Sequence, residues 1–188
     1  MRHRAALLIL DMLNDFDFPE APQLMPAARR AARHIRALKA RMRRSRYPVI
    51  YVNDNYGDWR IDANSLFQRM TRPECPGREI ATLLRPEPED YFVIKPKHSG
   101  FFETPLHQML QDLRIDHLVL TGIAGNICVL FTAHDAHMRG YRITVPSDAI
   151  ASNRASETKT TLTQLRDVLR ASTPKSSGLP RAWQGRTS

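Results

Sequence analysis

Cysteine is scarce in this chain of 188 residues: Cys75 and Cys128 are its two thiols. That excludes a disulfide scaffold and points to a reduced, cytoplasmic compartment. Long hydrophobic runs are missing as well. Met1, Arg2, His3 and Arg4 lead into six apolar residues before Asp11, too short a run for a signal peptide or a membrane span. No membrane partner is therefore expected. No internal repeat divides the chain. Acidic residues are absent between Ala21 and Asn53, a stretch holding Arg29, Arg30, Arg33, Arg36, Lys39, Arg41, Arg43, Arg44 and Arg46. Ala28, Ala31, Ile35, Leu38 and Met42 recur there at helical spacing, so residues 26–45 read as an amphipathic helix with a basic outer face. No aromatics are interleaved for base stacking and no recognition motif appears. A solvated arginine-rich face is the plainer reading than a nucleic-acid or acidic-lipid contact.

What is present describes an ordinary globular protein: 42% apolar and 25% charged residues, with a net charge of +9. The length suits one domain with a substantial core, expected over residues 1–170. Residues 171–188, rich in Ser, Pro, Gly and basic side chains, read as a disordered tail. Strand patterns at residues 5–10, 47–53, 91–95, 117–123 and 141–146 alternate with helical ones. Thr104 and Pro105 form an N-cap and first turn of one helix, and residues 155–170 form the last. This order predicts a three-layer αβα sandwich with a mainly parallel, Rossmann-like sheet and right-handed crossovers.

Ligands bind such sheets at the carboxyl ends of the strands. Asp11, Asn53 with Asp54, Lys95, Cys128 and Asp148 each lie at such an end, and together they make a credible catalytic set. Cys128 stands at a strand-to-helix turn, where the positive end of a helix dipole favours thiolate and hence nucleophilic attack. The bland alternatives differ by residue. A free cysteine is more often a small buried hydrophobe, Asp11 a helix cap, Lys95 a solvated strand end with Lys97 as its rival, and Asp148 an organiser of its loop. Cys75 reads as inert. His134 and His137, three apart with no third ligand at metal spacing, do not suggest a metal site.

Three blocks carry a resemblance. Leu8-Ile9-Leu10-Asp11-Met12-Leu13-Asn14-Asp15-Phe16 resembles the opening motif of the isochorismatase-like cysteine hydrolases. Lys95-Pro96-Lys97-His98-Ser99-Gly100-Phe101 is similar to that family's Lys-x-x-Tyr-Ser-Ala-Phe. Thr121-Gly122-Ile123-Ala124-Gly125-Asn126-Ile127-Cys128-Val129, followed by Thr132-Ala133-x-Asp135-Ala136, resembles its nucleophile segment. Order and spacing agree in all three.

The resemblance implies a triad of Asp11, Lys95 and Cys128. Cys128 would form a thioester, Asp11 would shuttle the proton, and a protonated Lys95 would keep Asp11 ionised and the thiol pKa low. It implies an oxyanion hole from the backbone amides of Ala124 and Cys128, a cis peptide between Ile123 and Ala124, and a homo-oligomer, dimer or tetramer. Nicotinamidases of this family carry an Asp-x-His segment with further histidines after strand two, which holds a metal. Here that stretch is Asn53-Asp54-Asn55-Tyr56-Gly57-Asp58-Trp59, without histidine, so neither metal nor other cofactor is expected. Asn53, Asp54 and Trp59 become candidates for substrate contacts, with Phe16 and Phe101 as apolar lining; Trp59 reads equally well as core. The expected activity is metal-independent hydrolysis of a small-molecule amide or related C–N bond. Enol-ether hydrolysis on the same scaffold is one alternative. An inactive module binding nucleic acid or a protein partner is another.

Overall fold

The computed structural model describes residues 4–180. Residues 5–10 have no polar face to turn outward, and every one is fully buried. Their side chains alternate, with Ala5, Leu7 and Ile9 entering one core and Ala6, Leu8 and Leu10 the other. This strand, β1 (Arg4–Leu10), is therefore the centre of the sheet. It pairs in parallel with β2 (Val49–Asp54) on one side and β4 (Ile115–Gly122) on the other. With β3 (Tyr91–Lys95) and β5 (Arg142–Thr144) the order is β3-β2-β1-β4-β5, all parallel.

Helices α1 (Ala21–Arg44), α2 (Ala63–Met70) and α3 (Arg78–Leu83) cover the first core. Helices α4 (Leu106–Asp112), α5 (Leu130–Met138) and α6 (Ala155–Asp167) cover the second. The result is the expected three-layer α/β sandwich. From β1 the chain winds outward through β2 and β3, then returns to the far side for β4 and β5. The strand order thus reverses between β1 and β4, and a crevice opens beyond their carboxyl ends. Gly122 ends β4 at φ 115°, so close to Leu10 of β1 that a side chain there would strike the Leu10 backbone.

Helix boundaries shift slightly from expectation. The basic helix begins at Ala21, because Pro22 falls in the first turn, where a missing N–H is tolerated. Pro105 rather than Thr104 caps α4, although the Thr104 hydroxyl still accepts the Leu106 N–H at 3.3 Å.

The basic face of α1 is partly consumed within the fold. Lys39 is buried, with its ammonium 2.7 Å from Asp90 and 3.0 Å from the Tyr51 hydroxyl. Arg43 reaches Asp90, Glu87 and Glu89 at 2.9, 2.9 and 2.6 Å, and Arg29 meets Glu79 at 2.8 Å. The acids that α1 lacks arrive from α3 and from the segment between α3 and β3.

The disordered-tail expectation fails for its first part. Ser172 accepts the Val145 N–H at 2.8 Å and donates to the Ile143 carbonyl at 3.0 Å, adding a bridge beside β5. Asp148 does order a loop: it accepts the Ser176 N–H at 2.7 Å and its hydroxyl at 3.0 Å. Ala171 and Leu179 are buried. These two apolar anchors outweigh the polar composition that suggested disorder. The remainder of that expected tail, 181–188, lies outside the described residues. Among the described residues, no helix is long and apolar enough to cross a membrane.

Candidate active site

Asp11, Lys95 and Cys128 come from three separate strand ends and meet beyond the β1–β4 switch. The Lys95 ammonium lies 3.0 Å from Asp11 Oδ2 and 3.7 Å from Cys128 Sγ. A second carboxylate, Asp54, approaches the same ammonium at 3.4 Å. Asp11 is almost fully buried at φ 51°, a left-handed conformation that aspartate tolerates better than most residues. Its Oδ1 accepts the Asp54 N–H at 2.8 Å. Its Oδ2 faces Lys95 ionically but has no aligned hydrogen-bond donor. The rival Lys97 instead lies outside, its ammonium 5.7 Å from the Phe102 ring centre.

Cys128 sits in a π-helical turn, Gly125–Val129, that leads into α5. The peptide between Ile123 and Ala124 is cis. Neighbouring amides of the turn are bound within the fold. Gly125 donates to the Ala151 carbonyl at 2.7 Å and Asn126 to the Ser152 hydroxyl at 3.2 Å, while Ile127 and Val129 both donate to the Ala124 carbonyl. Ala124 and Cys128 line a cavity of about 310 Å³ with Asp11, Asn14, Phe18, Glu20, Leu24, Asp54, Tyr56, Ile123, Ile127 and Asn153.

Burial is the largest single influence on each of the three groups. Burial pushes the Cys128 thiol well above its ordinary range, and the Asp11 charge adds to this, while Lys95 opposes both. These directions favour the thiol over the thiolate at rest. Burial also raises Asp11, with the Lys95 charge pulling the other way. For Lys95 burial opposes the charged form, yet the charges of Asp11, Cys128 and Asp54 outweigh it and hold the ammonium firmly protonated.

Of the expected substrate contacts, only Asp54 lines the cavity. Asn53 is wholly buried and clamps the loop after β1, accepting the Leu13 N–H at 3.3 Å and donating to the Leu13 carbonyl at 2.8 Å. Trp59 is 79% exposed and serves neither as pocket wall nor as core, because a short turn carries it outward. Phe101 packs into the second core against Tyr141 and His107. Phe16 lines a separate apolar cavity with Phe18, Pro19, Pro22, Met25 and Pro76. Asn14, Phe18, Glu20, Tyr56 and Asn153 were missed. Each lies in a loop following a strand or at the entry to α1, so the strand-edge rule applied to whole loops would have reached them.

The stretch after β2 does not suit an imidazole-type metal site. It lacks histidine, and side-chain oxygens of Asp54 and Asn55 are engaged by the Tyr56 and Gly57 amides at 2.8 and 2.9 Å. His134 faces Gln164 at 3.4 Å.

Comparison with known proteins shows the family. An isochorismatase family protein of Bacillus subtilis, YaaI, is 46% identical over 164 residues, covering 87% of this chain and 90% of the relative. A streptothricin hydrolase of Streptomyces noursei is 31% identical over 147 residues, covering 78% of this chain and 54% of the relative. The crystal structure of N-carbamoylsarcosine amidase from Thermoplasma acidophilum superposes with a TM-score of 0.74 at 30% identity, covering 94% and 98% of the two chains. Residues 5–174 match the isochorismatase domain, and the chain belongs to that family.

Proposed function

We propose that this protein hydrolyses a small-molecule amide or related C–N bond, with Cys128 as nucleophile and without a catalytic metal. The observation that carries this reading is the contact of one buried ammonium, Lys95, with both Asp11 and the Cys128 sulfur, which themselves line a cavity open to a small molecule. With the sulfur starting as the thiol, attack and proton transfer are coupled. Asp11 Oδ2, which has no aligned donor, takes the thiol proton as Sγ bonds to the carbonyl carbon.

The negative charge then develops on the carbonyl oxygen, and the amides of Ala124 and Cys128 are the donors assigned to it. Collapse breaks the C–N bond, and Asp11 returns its proton to the departing amine. This leaves a thioester on Cys128. Water next attacks that carbonyl, giving its proton to Asp11. The sulfur leaves, recovers the proton from Asp11, and the acid product is released. Throughout, Lys95 stays protonated and balances whichever of the two partners is anionic. The likeness to an N-carbamoylsarcosine amidase and to a streptothricin hydrolase, each at about 30% identity, supports the bond type.

The test is ammonia or amine release from a library of small amides and ureides, run beside a Cys128→Ala control. Release by the wild type and none by the variant is the expected outcome. Turnover that persists in Cys128→Ala would show that the sulfur is not the nucleophile. Enol-ether cleavage indifferent to that substitution would move the activity to the other branch of the family.

A further inference from the structure

The cavity at Cys128 is lined by three carboxylates, Asp11, Asp54 and Glu20, and by no arginine, lysine or histidine. Lys95, which touches Asp11, Asp54 and Cys128 of that lining, is fully buried behind the wall and already occupied by the two carboxylates. This local sign opposes that of the whole molecule, whose net charge is +9. A small anion drawn by the general field would therefore meet like charge at the point of reaction.

Glu20 is the informative member. Asp11 and Asp54 are accounted for by Lys95 and by the amides they accept. Glu20 precedes the first turn of α1, yet its carboxylate makes no capping hydrogen bond, and no ion pair reaches it among the described residues. It is an exposed, uncommitted anion on the wall of the cavity. The uncharged polar groups beside it, Asn14 and Asn153, and the apolar Phe18, Leu24, Ile123 and Ile127 supply no counter-charge.

We infer that the substrate is a small amide carrying a cationic group, an ammonium or guanidinium seated against Glu20, and that carboxylate-bearing amides are disfavoured. This rests on the proposed hydrolysis for its reaction but on the cavity lining alone for its charge preference. In a cleft with low-dielectric walls, such a field changes the local concentration of a charged ligand by tenfold or more, in the range of about 10- to 1,000-fold. Salt weakens the effect as it screens the exposed carboxylate.

Two measurements separate the charge preference from the reaction. In the first, kcat/KM is compared for 4-aminobutanamide, 4-hydroxybutanamide and succinamic acid. The expected order is ammonium over hydroxyl over carboxylate, with a spread on the order of tenfold at low salt. Glu20→Gln should shrink that spread to about twofold and Glu20→Lys should reverse it. In the second, Cys128 is alkylated with iodoacetamide or iodoacetate, each rate divided by the rate for N-acetylcysteine. Iodoacetate should be slower by a similar factor, and Glu20→Gln should recover most of the loss. If no amide turns over while the alkylation preference holds, the amide reading fails and the charge preference survives. Equal kcat/KM for the cationic and anionic amides together with equal normalised alkylation by iodoacetamide and iodoacetate, or ratios unmoved by Glu20→Gln, would overturn the inference.

Discussion

A buried aspartate, lysine and cysteine in mutual contact must share one balance of charge, and burial sets its terms. Asp11 must be ionised to accept the thiol proton, and its pKa lies above the ordinary aspartate value of 3.8. As pH falls through that raised value, Asp11 takes up a proton and the base is lost. The acid limb of kcat/KM is therefore expected at a midpoint above 3.8, measurable as a pH–rate profile. Lys95→Met removes the charge that opposes burial, so the limb should move further up, and turnover should fall by roughly 10²- to 10⁴-fold. A limb at or below the ordinary value would mean that the ion pair, not desolvation, governs Asp11. At this scale the sequence was legible where a residue's chemistry required a strand end. Asp11, Lys95 and Cys128 were placed together on that ground. The protonation state of the sulfur was not legible, because dipole and neighbouring charge can be read from order along the chain while depth of burial cannot.

Between elements, polar residues near the site divide into those that hold loops and those that face the cavity, and sequence position alone does not separate them. Asn53 and Asp54 are adjacent at the end of β2. Strand alternation sends the first inward to grip Leu13 and leaves the second beside Lys95. Removing the Asn53 amide strands the Leu13 backbone groups. Asn53→Ala should cost about 1–3 kcal/mol of stability, read as a lower Tm, with turnover falling because the β1–α1 loop loses its anchor. Trp59→Ala should leave both Tm and kcat/KM within error, since the ring is mostly solvated. The strands were readable because β1 is apolar on both faces, and α1 because its apolar spacing is long and regular. The short helices α2 and α3 and the loops that shape the cavity were not. Their conformation is decided by contacts such as Arg69 with Asp15 at 2.7 Å, made between distant segments.

Over the whole molecule, part of the surplus of positive charge is neutralised within the fold. Lys39, Arg43 and Arg29 of α1 are spent on Asp90, Glu87, Glu89 and Glu79, and Arg41 donates to the Ser176 carbonyl at 2.9 Å. Fluorescence anisotropy with a short DNA duplex should accordingly show weak binding at about 50 mM salt and none by about 200 mM, the behaviour of non-specific charge alone. Binding that resists the higher salt, or that discriminates sequence, would revive the basic helix as a nucleic-acid surface.

The bridge that Ser172 makes beside β5 also bears on how the molecule can be handled. A sheet margin left bare is a template on which other chains can add strands, and here one margin is closed by the chain's own late segment, pinned through Asp148 and Leu179. A fusion joint or stop codon placed before Ser172 would strip that seal, and the shortened protein would be prone to self-association through its exposed edge even with Asp11, Lys95 and Cys128 untouched.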